Sequence, residues 1–191
     1  MKKYKVGILG ATGAVGAEMI KILAQRNFPI SELVPMASAN SAGKTLPYSD
    51  RTFTIVEAKP EAFEGLDIVL GAAENDIAEK FAPAIKQAGA VFIDNSSAFR
   101  LCDDVPLVIP EINGEDIFTH KGIIANPNCT TIVTLMAVKA ISDISPIETM
   151  VVSSYQATSG AGIAGPAELL AQSKAIAEDK PIPAAKVFQY Q

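Results

Sequence analysis

Between an apolar run, Tyr4 to Leu9, and a helical apolar pattern at Val15, Met19, Ile22 and Leu23 stands the turn Gly10-Ala-Thr-Gly13-Ala-Val-Gly16. A glycine-rich turn that leaves a strand and opens a helix aims backbone amides and the positive end of the helix dipole at one place, which suits an anion. The context is that of a dinucleotide fingerprint. Its spacing is Gly-x-x-Gly-x-x-Gly rather than Gly-x-Gly-x-x-Gly, so the backbone at Thr12 differs from the commonest form. A tight turn with no ligand is the bland alternative, and the flanking strand and helix count against it.

The rest of the chain repeats the alternation. Short apolar runs at Leu33 to Ala37, Asp67 to Ala72, Ala90 to Ile93, Leu107 to Ile109 and Ile123 to Ala125 read as buried strands. Helical patterns lie between some of them, such as Ile77, Phe81 and Ile85, and another helix is expected from about Cys129 to Ile141. Strand and helix in alternation imply parallel pairing, hence an α/β fold with a Rossmann-like, doubly wound and mostly parallel sheet. A later strand is expected at Thr149 to Ser154. It precedes the glycine-rich turn Ser159-Gly-Ala-Gly-Ile-Ala-Gly165 and a helix with Pro166 in its first turn. We place a dinucleotide-binding domain at 1–128. The start of an α+β catalytic and dimerisation domain follows at 129–191.

Composition narrows the partners. Hydrophobic residues make up 49% of the 191 residues and charged residues 19%, the balance of a folding globular chain. The net charge of −5 carries no basic stripe, which argues against nucleic acid. Membrane helices need roughly 20 apolar residues, and no such stretch occurs. The two cysteines, Cys102 and Cys129, lie in no Cys-x-x-Cys or Cys/His cluster, so no metal site is expected and a reducing cytoplasm fits.

In an open parallel sheet ligands bind beyond the carboxyl ends of the strands, and the polar residues of this chain gather there. No acidic residue follows the second strand to hold ribose hydroxyls. Met36-Ala-Ser38-Ala-Asn40-Ser41-Ala-Gly43-Lys44 offers hydroxyl, amide and ammonium donors instead, which favours NADP, although such a run is also ordinary loop composition. Pro127 and Asn128 set up a helix start that places Cys129 in the first turn, where the dipole favours a thiolate. Beside a nicotinamide, a thiolate can attack an aldehyde or acyl carbon and interconvert thiohemiacetal and thioester. Packing is the commoner fate of a lone cysteine; position favours the nucleophile. Asp103 and Asp104 disfavour that role for Cys102. Arg100 can grip a carboxylate or phosphate with two parallel hydrogen bonds, or serve a surface salt bridge. Gln156 can orient a substrate or support an oxyanion. His120, the single histidine, sits in a polar turn at the amino end of a strand, away from the crevice.

Six motifs in order carry a resemblance. Gly10 to Gly16, Ala37 to Lys44, Asp94-Asn-Ser-Ser-Ala-Phe-Arg100, Ile109-Pro-Glu-Ile-Asn113, Asn126-Pro-Asn-Cys-Thr-Thr131 and Tyr155-Gln-Ala-Thr-Ser-Gly-Ala-Gly162 together resemble the aspartate-semialdehyde dehydrogenase family. The resemblance implies reversible, NADP-dependent reductive dephosphorylation of L-aspartyl 4-phosphate to L-aspartate 4-semialdehyde, toward lysine, methionine and threonine. It implies that Cys129 is the nucleophile, that Arg100 and Asn128 face the phosphate and acyl group, and that Gln156 positions the substrate. Thr12, Gly13, Ala14 and Val15, then Asn40 and Ser41, then Ser159 and Gly160 are implied to contact NADP. Asn40 stands where many members carry an arginine facing the 2′-phosphate. The family's general-base histidine and carboxylate-binding arginine lie downstream of the Gln156 motif. The chain is therefore expected to be the N-terminal part of a homo-oligomeric enzyme. Two alternatives stand beside this reading: N-acetyl-γ-glutamyl-phosphate reductase, with the same thioester chemistry, and a catalytically silent NADP-binding module.

Overall fold

The computed structural model describes residues 2–48 and 51–188. The chain forms two compact units, 1–150 and 151–191. The first opens with β1 (Tyr4–Leu9), α1 (Ala14–Gln25) and β2 (Ile30–Ala37). A small antiparallel pair, β3 (Thr45–Tyr48) and β4 (Arg51–Thr54), is inserted before β5 (Val56–Glu57). Then come β6 (Ile68–Gly71), α2 (Asn75–Gln87), β7 (Val91–Asp94), α3 (Pro110–Asn113), β8 (Ile123–Ala125) and α4 (Cys129–Ser142). The main sheet has six parallel strands in the order β5-β2-β1-β6-β7-β8. With the inserted pair set aside, that is the 3-2-1-4-5-6 order of a doubly wound fold, as the alternation of strand and helix implies.

Burial on both faces explains why β1 reads as a continuous apolar run. Val6 and Ile8 pack with Ala11, Ile20 and Leu33, joined by Leu46, Tyr48 and Phe53 of the inserted pair. Leu9 belongs to the larger cluster, with Met36, Phe63, Val69, Phe81, Ile85 and Phe92. Phe63 and Phe81 meet edge to face at 5.5 Å between ring centroids. Gly7, between the two sets, makes room in the sheet. A Cβ there would fall 2.6 Å from Met36 Cε and 2.7 Å from Leu66 Cδ1.

Three expectations are corrected. The inserted pair and β5 were not foreseen, because Pro47 interrupts the first strand and β5 has only two residues. Leu107 to Ile109, bracketed by Pro106 and Pro110, makes a single parallel bridge from Leu107 to Ala125 rather than a strand. Thr149 to Ser154 is no strand at all: among the described residues it pairs with nothing, and every residue in it is exposed. An extended segment with no neighbouring edge gives its backbone to water.

In the second unit, α5 (Ala164–Ala177) carries Pro166 in its first turn and packs on a 3-10 turn at Thr158–Ala161. A Cβ on Gly165 would lie 2.1 Å from Thr158 O, so only glycine allows that approach. The Glu168 carboxylate accepts the backbone N–H groups of Lys186, Val187 and Phe188 at 2.6, 2.9 and 3.3 Å. Those bonds hold it below the usual carboxylate range.

At the start of α1 the packing is equally tight. A Cβ on Gly16 would lie 2.3 Å from Gly10 O, a backbone atom that no rotamer change relieves. Gly16→Ala is expected to destabilise the first unit by about 1–3 kcal/mol, the range for overpacking. A thermal melt with an unchanged midpoint would show that α1 can slide away from β1.

Candidate active site

The glycine turn is fixed by backbone bonds. Gly10 N and Ala11 N both donate to Met36 O at 2.9 Å, tying the tip of β1 to the end of β2. Gly10 has φ +89°, and a Cβ there would lie 2.7 Å from Ala72 O, so glycine is required twice over. Gly13 is the N-cap of α1, with no side-chain cap and no acidic residue in the first turn. The amides of the first turn, at Ala14, Val15 and Gly16, thus belong to a helix start with no acidic side chain in its own first turn.

Beside this turn, across the carboxyl ends of β1, β2, β5 and β6, opens a cavity of about 480 Å³. Of the residues singled out in the sequence, the structure brings Gly10, Thr12, Gly13 and Ser38 together around it. Asn40 and Ser41 lie on a 3-10 turn just beyond, with Ser41 N donating to Ser38 O at 2.9 Å. Glu57 was missed, as was the apolar wall that Ala58, Ile77 and Phe81 build, whereas Ala73 and Glu74 fall in the stretch Ala72 to Asn75, which follows the third apolar run where the carboxyl-end rule places ligands. Glu57 sits on β5, which was too short to read. Ile77 and Phe81 showed only as helix periodicity.

A second constellation gathers at the ends of β7 and β8, within the same unit. Asn126 Nδ2 donates to Asn95 Oδ1 at 2.5 Å, and Asn126 N donates to Asp94 O at 2.8 Å. The Arg100 guanidinium donates from Nε to Asn126 O at 2.9 Å and from Nη2 to Asn95 O at 3.0 Å. Arg100 therefore bridges the two loops. Ser97 N donates to Asn75 Oδ1 at 3.0 Å, which ties the same loop to the start of α2. Asn128 caps α4: its Oδ1 accepts from Thr130 N and Thr131 N at 2.9 and 3.3 Å. Cys129 follows as the first helical residue, an exposed thiol three residues past Asn126.

Beneath this lies Asp94, fully buried. Its carboxylate accepts from Ser96 Oγ at 2.5 Å and Ser96 N at 3.2 Å. Burial pushes its pKa up, and the Ser96 bonds and the Arg100 charge offset that only in part.

Gln156, Ser159 and Gly160 belong to the second unit. The Gln156 amide covers Gly160, where a Cβ would come within 2.1 Å of Nε2, and Gly162 N donates to Ser159 O at 3.0 Å. His120 ends a 3-10 helix ahead of β8, and its Nδ1 accepts from Gly122 N at 3.0 Å. That is the sheet edge opposite the cavity. Cys102 is exposed in a turn whose backbone bond runs from Val105 N to Cys102 O. Among the described residues no group of acids, cysteines and histidine is arranged to hold a metal, and no helix is long and apolar enough to cross a membrane.

The strand order, the glycine turn and a cavity where the order reverses define a nucleotide-binding domain of the doubly wound class. Its kinship is narrower than that. The chain belongs to the semialdehyde dehydrogenase family: residues 5–120 match the semialdehyde dehydrogenase NAD binding domain, and 138–191 match the family's dimerisation domain. It is 48% identical over 186 residues to aspartate-semialdehyde dehydrogenase of Synechocystis sp., covering 97% of this chain and 55% of that protein. The crystal structure of aspartate semialdehyde dehydrogenase II from Vibrio cholerae superposes with a TM-score of 0.93 at 41% identity, covering 100% of this chain and 57% of that one. The Candida albicans enzyme, solved with NADP, gives a TM-score of 0.62 at 27% identity over 76% of this chain and 48% of its own. The chain thus spans about half the length of these relatives.

Asp94 supplies a pH test. A carboxyl whose folded pKa is raised binds its proton more readily in the folded chain. Its contribution to stability is full below the ordinary carboxylate range and is lost as pH rises through the folded value. The carboxamide introduced by Asp94→Asn does not titrate. In urea titrations, the stability of wild type relative to Asp94→Asn should increase as pH falls from neutral into the carboxylate range. A difference that ignores pH would show that Asp94 ionises in the folded chain as it does in the unfolded one.

Proposed function

We propose that this chain is the nucleotide-binding and nucleophile-bearing part of an NADP-dependent aspartate-semialdehyde dehydrogenase, interconverting L-aspartate 4-semialdehyde and L-aspartyl 4-phosphate. The observation that carries the reading is the placement of Cys129 at the capped start of α4, in the same unit and on the same sheet edge as the glycine turn. Three inter-strand spacings, roughly 15 Å, separate the ends of β1 and β8. That span suits an extended dinucleotide with its phosphates at α1.

The cavity fits the cofactor. Gly10, Thr12, Gly13, Ala14, Val15 and Gly16 present backbone to the phosphates, and Ser38, Asn40 and Ser41 present donors to the 2′-phosphate. When bound, NADP supplies the hydride acceptor. The chain's own residues hold the reacting carbon and the phosphate, while the general base and the carboxylate-binding arginine that the resemblance implies lie downstream of the Gln156 motif. The Cys129 thiolate adds to the aldehyde carbon as a thiohemiacetal and, after oxidation, holds the acyl group as a thioester. A phosphate oxygen then attacks the acyl carbon, the C–S bond breaks, and Cys129 leaves as thiolate. Arg100, held by two backbone carbonyls, presents the remainder of its donor fork to the phosphate. Asn128 flanks the acyl group. We assign Gln156 to substrate orientation and Ser159 and Gly160 to the cofactor. We assign the boundary between cofactor-binding and catalytic domains to 128/129, ahead of the division between the compact units at 150/151, and the match of 138–191 to a dimerisation domain supports a homo-oligomer.

Absorbance of reduced nicotinamide tests the reading. Wild-type chain with NADP, aspartate semialdehyde and phosphate should form NADPH only when all three are present. Cys129→Ser should abolish that while leaving NADPH binding within about threefold. Turnover that survives Cys129→Ser would overturn the assignment. Binding without turnover in wild type would make the chain a nucleotide-binding module.

A further inference from the structure

The cavity has a part that neither phosphate nor 2′-phosphate donors account for. Besides its polar residues the lining is apolar at Ala37, Ala58, Ala73, Ile77 and Phe81, with Lys80 Nζ 5.0 Å from the Phe81 ring centroid, and on its β5 side stands Glu57. The position of Glu57 is fixed by the sheet. It ends β5 in parallel register with Ala37, and Ala58 N donates to Ala37 O at 2.8 Å. Glu57 therefore lies one strand outboard of the residue that leads into Ser38. It also borders the adjoining cleft of Lys5, Glu32 and Lys59, so it stands at the shared rim of two openings.

A carboxylate accepts hydrogen bonds and repels anions. Among the described residues no ion pair or hydrogen bond engages that of Glu57. A ligand threaded along this cavity with its phosphates at α1 thus meets, on the β5 side, apolar lining at Ala37 and Ala58 next to an exposed acceptor. The Glu57 carboxylate disfavours phosphate beside it, whereas a planar base bearing an exocyclic amine suits that side: the apolar lining offers contact to its faces and the carboxylate accepts its N–H donors. Glu74, the N-cap of α2, instead follows β6, next to the glycine turn.

We propose that Glu57 is a specificity-determining residue that accepts a hydrogen bond from the 6-amino group of the cofactor's adenine. This rests on the nucleotide reading above, and the experiment separates the two. NADPH and its hypoxanthine analogue, which carries a 6-oxo group in place of the amine, are titrated by nicotinamide fluorescence against wild type, Glu57→Gln and Glu57→Ala. Wild type should prefer the adenine form by about tenfold, the scale of one charge-assisted bond at a partly open site. Glu57→Gln, near in shape but able to donate as well as accept, should narrow the preference to within about threefold, with Glu57→Ala following it. Circular dichroism melts confirm that the variants fold. Equal binding of the two dinucleotides by wild type, or a preference that persists in both variants, overturns the role of Glu57 and leaves the nucleotide site standing. Failure of wild type to bind either one overturns both.

Discussion

Backbone lies directly on backbone at the centre of the first unit. Gly16 sits under the carbonyl of Gly10, and Gly10 sits against the carbonyl of Ala72, in both places closer than any Cβ would allow. Because these two side chains are missing, α1 starts immediately beyond the tip of β1 while β6 runs alongside. Met36 O, taking two amides at once, pins the same tip to β2. The rest of the edge follows from that knot. It leaves the first turn of α1 capped only by glycine, it brings Ser38 and Ala73 into the lining of one cavity, and it sets the register from which β7 and β8 carry their loops outward.

Those features were legible in the sequence because they are local or continuous. β1 spans the apolar run from Tyr4 to Leu9 end to end, buried on both faces, and α4 starts at Cys129 because Asn128 supplies the cap. What was not legible depends on partners distant in sequence. Two residues of β5 become a strand only because Ala37 lies beside them, and Glu57 becomes part of the cavity by the same pairing. Conversely, Thr149 to Ser154 has the composition of a strand and no edge to join among the described residues. Asp94 was visible as one letter of a loop motif. Its burial, and the Ser96 bonds that go with it, needed the fold.

Apolar surface is unevenly distributed. β1 and α2 are closed into the core, yet α4 has no buried residue, and Val133 is 74% exposed. A helix that is apolar on most sides is ordinarily covered. In the second unit Leu170 is 70% exposed. The match to the family's dimerisation domain begins at residue 138, inside α4, and runs through that unit.

The bridge formed by Arg100, Asn95 and Asn126 has a consequence for how the site can vary. One guanidinium and one pair of side-chain amides join the loop after β7 to the loop that leads into Cys129. The Arg100 side and the Cys129 side are thereby one mechanical piece. Changes at Asn95 and Asn126 will not add as independent sites do, since each removes a support the other relies on. A relative that alters one of these side chains is then expected to alter its partner on the other loop.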